Sequence, residues 1–167
     1  LLGTILLGQK KLQEEELSIR KAIEIKPDFF QAHLNLGAVL KDLGKPQEAE
    51  LSIRKAIEIK PDLFQAHLNL GAVLKDLRKL QEAELSTRKA IELKPDFFQA
   101  HLNLGAVLKD LGKLQEAELS TRNAIELKPY DADAYVNLGN ILNDIGKLKD
   151  AELSIRKAIR LKPDYPR

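Results

Sequence analysis

One segment of 13 residues recurs along the chain at a constant interval. The segment Gln-Ala-His-Leu-Asn-Leu-Gly-Ala-Val-Leu-Lys-Asp-Leu begins at Gln31, at Gln65 and at Gln99, and a diverged copy begins at Asp133. The interval is 34 residues in every case. A fixed period of this length is typical of an array of stacked supersecondary units. Each unit of such an array buries its apolar face only against its neighbours, so we expect no single central core.

The first half of each period has the pattern of an amphipathic helix. We take residues 30–63 as one repeat and number its places from 1 to 34. Leu36 and Leu40 lie four residues apart, a spacing that predicts a first helix, here called helix A. Asp28 precedes Gln31 by three residues, as an N-cap residue does in a capping box. We therefore expect Asp28 to cap helix A.

The second half of the period predicts another helix. Gly44 breaks the apolar pattern, and Pro46 is suited to open helix B because a proline in the first turn loses no helical hydrogen bond. Pro61 ends helix B. Connections this short allow only antiparallel packing of the two helices. The residues of helix B that we expect to face helix A are Ala49, Leu51, Ile53, Ala56, Ile57 and Ile59.

Small residues occupy the same places in every repeat. Glycine within a helix costs about 1 kcal/mol relative to alanine, so its recurrence at place 8 predicts a close contact between helix axes. Alanine recurs at places 20 and 27 of helix B for the same reason. The place 8 residues are Gly37, Gly71, Gly105 and Gly139.

Composition narrows the classes of partner. Lys and Arg total 27 against 25 Asp and Glu, and the two signs are interleaved, so we expect neither a nucleic-acid stripe nor a polybasic membrane anchor. Apolar runs fall short of the roughly 20 residues of a membrane span. The chain has no Cys, which excludes disulfides and thiol chemistry and fits a reducing compartment. We expect a cytoplasmic location, no cofactor, and no nucleic-acid or membrane partner.

The repeat resembles the tetratricopeptide repeat along the whole chain. Its Leu at place 7, Gly at place 8, Ala at places 20 and 27 and Pro at place 32 are similar to that family's signature. Two places depart from it: His stands at place 4, where the family often has Trp, and Leu at place 11, where it often has Tyr. The resemblance implies an all-α solenoid of stacked antiparallel hairpins, wound as a right-handed superhelix with the A helices on its concave side.

We expect one continuous array with a truncated unit at its start. Residues 1–7 align with residues 35–41, so we interpret them as a clipped helix A and not as a signal peptide. The chain looks like a fragment of a longer array. The expected units are a truncated repeat 1–29, complete repeats 30–63, 64–97, 98–131 and 132–165, and the start of a further repeat at 166–167.

The family resemblance also implies which places face a ligand. These are places 2, 5, 6, 9, 12 and 13, which read Gln, Leu, Asn, Ala, Lys and Asp in the three central repeats. Such a groove has an apolar floor and little net charge. The candidate peptide-binding residues are Asn35, Asn69, Asn103, Asn137, Gln65, Gln99, Leu68, Leu102, Lys75, Lys109, Asp76 and Asp110.

The asparagines at place 6 are the most informative of these residues. Asn is a poor helix former, yet it recurs here in every repeat. Its carboxamide can pair with both the N–H and the C=O of a peptide. Adjacent A helices about 10 Å apart and an extended peptide advancing about 3.3 Å per residue would let one Asn address every third residue. Alternatively, each Asn bonds only its neighbouring helix.

This row resembles the asparagine ladder in the repeat arm of O-linked N-acetylglucosamine transferases, which holds extended peptides. Those transferases have Asp at place 2, and here only Asp133 matches. Another family mode does not fit: a carboxylate clamp for chaperone tails has Lys or Arg at place 5, where this chain has Leu or Val. The Lys and Asp at places 12 and 13 could contact a ligand or form ion pairs between repeats.

Neither a metal site nor a catalytic site is expected. Ligands of one zinc lie within about 3 to 4 Å of each other, whereas His33, His67 and His101 stand one repeat apart, about 10 Å. Their expected role is packing. Every acidic residue follows the repeat, while a catalytic centre needs one asymmetric site, so we expect no catalysis in this chain.

The sequence therefore predicts a protein-binding scaffold that holds an extended peptide segment on its A helices. Two alternatives stay open. The chain could be the substrate-recruiting arm of a larger transferase, or it could assemble end to end through the apolar faces of its terminal helices. The last helix B is followed here only by residues 164–167, and its apolar residues are Leu153, Ile155, Ala158, Ile159 and Leu161.

Overall fold

The chain folds into helices joined by short turns. The structure is a computed structural model that describes residues 2–163, with side chains described from residue 8 onward. The expected start of a further repeat at 166–167 lies outside the described residues. The described helices are α1 (Leu2–Ile25), α2 (Phe30–Asp42), α3 (Pro46–Ile59), α4 (Phe64–Asp76), α5 (Leu80–Leu93), α6 (Phe98–Asp110), α7 (Leu114–Leu127), α8 (Ala132–Ile145) and α9 (Leu148–Leu161).

The predicted all-α fold is confirmed. Helices α2, α4, α6 and α8 are the A helices, and α3, α5, α7 and α9 are the B helices. None of the described helices combines the length and the apolar character that crossing a bilayer requires.

The chain forms two compact units that divide within α5, at Leu1–Ser86 and Thr87–Arg167. In the first unit, α2 packs against α1, α3 and α4. In the second unit, α6 packs against α7 and α8, and α8 packs against α9. Each unit therefore contains two A helices in direct contact with each other.

The cores of both units consist of residues at the same places of the repeat. Leu40 and Leu74 in the first unit are fully buried, as are Leu108 and Leu142 in the second, all at place 11. In the four repeats from residue 30 onward, the alanines at places 20 and 27 are buried as well. A leucine therefore fills the place where the family often has an aromatic ring.

The predicted close approach at place 8 is confirmed where its geometry is described. A Cβ built on Gly37 would lie 3.3 Å from the carbonyl oxygen of Ala49 and would overlap the side chain of Ile53. A Cβ on Gly105 or on Gly139 would likewise come within 3.3 Å of a helix B carbonyl oxygen. Helix A can approach helix B this closely only because these positions carry no side chain.

The predicted capping box is wrong. The N-cap residue of α2 is Phe29, and no side chain caps this helix or the equivalent helices α4 and α6. Asp28 stands one residue too early, at place 33 of the period. The diverged repeat has Asp131 at place 34, and there its side chain accepts a hydrogen bond of 3.1 Å from the backbone N–H of Ala134. One residue of register decides whether the aspartate can cap.

The predicted break between a clipped helix A and its helix B is also wrong. Helix α1 runs without interruption from Leu2 to Ile25. A turn at place 15 would put Lys10 into the left-handed region that Gly44 adopts at φ +71°. That conformation costs a non-glycine residue about 1–2 kcal/mol, and the uninterrupted helix avoids it. Accordingly Glu15, at the place where other repeats bury an alanine, is exposed.

Leu51 does not face helix A as expected. Leu51 is exposed, whereas Ala49, Ile53 and Ala56 are fully buried. These three buried residues are separated by four and three positions, so they form one helix face. Leu51 lies two positions from Ala49, about 200° around the helix, since each residue advances by about 100°. The leucine therefore points away from helix A.

Arg78 is the one described non-glycine residue with a positive φ, at 61°. Glycine occupies the same place 15 in the other turns, at Gly44, Gly112 and Gly146. Because a side chain in this conformation costs about 1–2 kcal/mol, Arg78→Gly should raise the free energy of unfolding by about 1 kcal/mol. Urea denaturation measures this change, and Gly112→Arg is the matched control that should lower it. A lower stability for Arg78→Gly would contradict the strain at this turn.

Candidate peptide-binding surface

The place 6 asparagines lie on A helices that contact each other. Asn35 on α2 and Asn69 on α4 belong to the first unit, and Asn103 on α6 and Asn137 on α8 belong to the second. Asn35 is exposed and the other three are half-buried. Each unit thus brings two of the predicted asparagines onto neighbouring helices, where solvent reaches them.

Glutamines at place 2 hold two of these asparagines in a defined orientation. The Nε2 of Gln31 donates a hydrogen bond of 2.9 Å to the Oδ1 of Asn35, and Gln99 makes the same 2.9 Å bond to Asn103. Both bonds lie within one helix, because residues four apart are neighbours on a helix surface. The oxygen of each asparagine is thereby engaged. Its NH₂ group can still donate to a ligand, and the oxygen of the glutamine can still accept.

The predicted apolar floor lies beneath this surface. Leu68 is 8% exposed and Leu102 is 5% exposed, so both offer a ligand little area. Gln65 is exposed and Gln99 is half-buried. The polar side chains at places 2 and 6 therefore form the accessible part of the candidate site, and the leucines at place 5 mainly support it.

The Lys and Asp residues at places 12 and 13 lie at the end of each A helix. Asp76 is exposed, and Lys75, Lys109 and Asp110 are half-buried. The Nζ of Lys109 is 3.9 Å from a carboxylate oxygen of Asp144, which stands at place 13 of the following repeat. This contact favours the ion-pair interpretation for Lys109, although an ion pair so exposed contributes little stability.

Two concave regions of the first unit adjoin its asparagines. One has a volume of about 240 Å³ and is lined by α1 residues together with Gln31 and Asn35. The other has a volume of about 120 Å³ and is lined by Gly37, Lys41 and Asn69 among others. Side chains of a bound segment could enter both regions beside a carboxamide.

The histidines at place 4 have a structural partner. The Nε2–H of His33 donates to the carbonyl oxygen of Pro27 at 2.8 Å, and His67 and His101 make equivalent bonds of 2.7 Å to Pro61 and 2.8 Å to Pro95. Each ring therefore ties helix A to the turn that precedes it. This contact supports the packing role expected for these residues.

Sequence reasoning missed a set of ion pairs between the B helices. The Nζ of Lys79 donates to Glu50 at 2.8 Å, and the guanidinium of Arg54 contacts both Glu50 at 2.9 Å and Glu82 at 2.6 Å. The same arrangement joins α1 to α3, and its lysine–glutamate pair recurs between α7 and the turn before α9. The signal was present as Glu at place 21 and Arg at place 25, four residues apart in every repeat.

These contacts lower the pKa of the central glutamate. A hydrogen bond from Lys147 holds the pKa of Glu118 below its ordinary value of 4.5, outweighing burial, and Arg122 adds to the effect. At Glu50, burial acts to raise the pKa, but hydrogen bonds from Lys79 and Arg54 prevail and lower it. The glutamates therefore stay ionised and link consecutive repeats.

The repeats match a known sequence family. One family model, described as tetratricopeptide repeat, matches residues 1–29, 30–63, 64–97 and 132–165. A second model of the same description matches residues 87–118. The chain belongs to the tetratricopeptide repeat family. No curated protein sequence matches the chain significantly.

Several solved structures share the fold. YrrB, described as a TPR protein with an unusual peptide-binding site, is 25% identical with a TM-score of 0.78, over 97% of this chain and 84% of that one. MamA from Desulfovibrio magneticus is 19% identical with a TM-score of 0.86, over 99% and 94%. The protein pilF of Pseudomonas aeruginosa is 22% identical with a TM-score of 0.82, over 95% and 72%.

The ion pairs predict how stability depends on pH. Because folding lowers the pKa of Glu118, this residue contributes stability above its ordinary value of 4.5 and loses that contribution as the pH falls through the lower folded value. Glu118→Gln should therefore reduce stability at neutral pH and flatten the acid limb of the stability profile. Thermal melts between neutral and strongly acidic pH measure both effects, with the exposed Glu126→Gln as control. Identical acid limbs for wild type and Glu118→Gln would refute the assignment.

Proposed function

We propose that the A-helix surface of each unit binds extended peptide segments of a partner protein through the carboxamides at places 2 and 6. The observation that carries this proposal is the hydrogen bond from Gln31 to Asn35 and its equivalent from Gln99 to Asn103. In each pair an asparagine NH₂ can donate and a glutamine oxygen can accept. A peptide backbone needs one partner of each kind at every residue.

Backbone recognition suits the chemistry of the surrounding surface. The predicted charged residues at places 12 and 13 balance each other, so the surface does not demand a charged segment. Membership in the tetratricopeptide repeat family and the similarity to YrrB, a TPR protein with a peptide-binding site, support a peptide partner. Affinity would come from the backbone, and the neighbouring concave regions would select among side chains.

Replacing Asn69 and Asn103 together by Ala should weaken peptide binding and leave the fold intact. Each unit loses one asparagine and with it a hydrogen bond of about 0.5–1.5 kcal/mol, so each unit should bind roughly two- to tenfold more weakly. The probe is a peptide selected on the full chain from a random library, and calorimetry measures its affinity. Asn123→Ala is the matched control, since Asn123 is a half-buried asparagine of the B helix α7, outside the ligand-facing places. Unchanged affinity in the double variant would overturn the proposal.

End-to-end assembly is a second proposal, favoured by one face of α9. In the second unit, Ile125 of α7 packs against Leu138 of α8. The equivalent residue of α9 is Ile159, which is exposed, as is Leu148 at its N-terminal end. A helix of a second copy would take the position on α9 that α8 takes on α7. Such a contact joins two different surfaces and leads to open-ended growth.

Ile159→Lys should abolish this growth while preserving helicity, because a charge at the contact would be buried without a partner. Sedimentation velocity from micromolar to millimolar concentration shows whether mass increases without limit in the wild type and ceases to do so in the variant. Growth that persists in Ile159→Lys would exclude this face as the contact.

A further inference from the structure

One side of α1 is less covered than the same side of α3. Ile19 and Ala22 of α1 stand at places 24 and 27, where α3 has Ile53 and Ala56. Both of these α3 residues are fully buried, whereas Ile19 and Ala22 are half-buried. Helix α2 turns back and packs against α3, but α1 runs on without such a turn. This side of α1 is therefore partly accessible to solvent.

A cavity of about 240 Å³ lies on this side of α1, next to the start of α2. We call it the α1 pocket. Its apolar lining consists of Ile19 and Ala22 from α1, Ala32 from α2, and Phe29 from the turn between them. The volume falls below the range of about 300–1,000 Å³ that is usual for small-molecule sites, so the pocket suits a single side chain. All of these residues belong to the first unit.

Three polar groups around the α1 pocket are available to a ligand. Gln31 donates to Asn35 at 2.9 Å, which leaves the oxygen of Gln31 and the NH₂ of Asn35. The third group is the exposed carboxylate of Glu15, which makes no ion pair or hydrogen bond with the residues that the structure describes. The hydroxyl of Ser18, in contrast, already donates to the carbonyl oxygen of Glu14 at 2.9 Å. A ligand would therefore meet an acceptor, a donor and a negative charge.

The negative charge of Glu15 lies on the same face of α1 as the apolar wall of the pocket. Glu15, Ile19 and Ala22 are separated by four and three positions, so they form one stripe along the helix. Four residues correspond to about 6 Å along a helix axis. Of the described residues that line the α1 pocket, Glu15 alone carries a charge. The pocket thus combines an apolar wall with one carboxylate, about one helical turn beyond Ile19.

Glu15 also argues against a helix as the occupant of this side of α1. Complete hairpins have an alanine at place 20, and the carbonyl oxygen of Ala49 would lie 3.3 Å from a Cβ on Gly37. A helix packed as closely on α1 would bury Glu15, and burying a carboxylate without a partner is costly. An extended peptide segment is narrower and leaves this carboxylate in contact with water.

We propose that the α1 pocket binds a basic side chain, arginine or lysine, of the peptide segment whose backbone Gln31 and Asn35 hold. This inference rests on the proposed function of the A-helix surface. Arginine and lysine lay their methylene stems along apolar surface and keep the charged head in water. Here the stem would contact Ile19 and Ala22, and the head would reach the exposed carboxylate of Glu15. Glu15 is then the residue that selects a basic residue at one position of the peptide.

Selection of a random peptide library on the full chain tests the preference. Peptides selected on the wild type should be enriched in arginine or lysine at one position, and selection on Glu15→Lys should replace that preference by aspartate or glutamate. Glu24→Lys is the charge-matched control, because Glu24 is exposed and lies nine residues from Glu15, on the opposite face of α1. This control should keep the preference of the wild type. Circular dichroism should show equal helicity in all three proteins.

Calorimetry with one selected peptide then tests the contact itself. Replacing the basic residue by its neutral analogue, citrulline for arginine or norleucine for lysine, keeps the stem and removes the charge. Binding to the wild type should weaken about two- to fivefold, the effect of one exposed ion pair. Glu15→Gln should weaken binding of the unmodified peptide by the same factor and should no longer respond to the replacement, as a double-mutant cycle requires for two groups in contact.

The results that would overturn this inference can be told apart from failure of the proposed function. Selected peptides without an enriched basic residue, or with one that Glu15→Lys leaves unchanged, would refute the assignment of the α1 pocket. If Asn35→Ala still weakens binding of those peptides, the proposed function stands. A library that yields no binder contradicts both proposals. Self-association of the wild type that Glu15→Lys abolishes would assign the pocket to a second copy of the chain.

Discussion

The close approach of helix A to helix B at place 8 is the constraint on which the rest of the structure depends. With no side chain at Gly37, Gly105 and Gly139, the backbone of helix A comes near a helix B carbonyl oxygen in each hairpin. This contact fixes the rotation of helix A about its own axis. The same rotation buries the leucines at places 5 and 11 and turns the asparagine at place 6 toward solvent.

Because every repeat places its residues in the same way, the A helices and the B helices present surfaces of different chemistry. The A helices expose carboxamides, which suit a peptide backbone, whereas the B helices expose leucines. Ion pairs centred on Glu50 and its equivalents join consecutive B helices. Each pair contributes little where it is exposed, but the glutamates, of which Glu50 is buried and Glu118 half-buried, make the link between repeats dependent on their ionisation.

Much of this architecture could be predicted from the sequence, because the 34-residue period and the helical spacing of Leu36 and Leu40 leave few alternatives. The features that could not be predicted depend on shifts of one or two residues relative to the start or the buried face of a helix. Asp28 misses the N-cap by one residue, and Leu51 lies two positions from the buried stripe. Helix α1 continues through Lys10, at the place where Gly44 turns the chain. The hydrogen bond between Gln31 and Asn35 could not be predicted, because a spacing of four residues allows this contact but does not determine which way the two side chains turn.

The central claim is that the carboxamides of the A helices recognise a peptide backbone and not particular side chains. The most direct test is to methylate the backbone nitrogens of a selected peptide one at a time, which removes each N–H without changing any side chain, and to measure each affinity by calorimetry. We expect losses at about every third residue, because A helices stand about 10 Å apart and an extended chain advances about 3.3 Å per residue. Losses that follow side-chain substitutions and ignore methylation would contradict it.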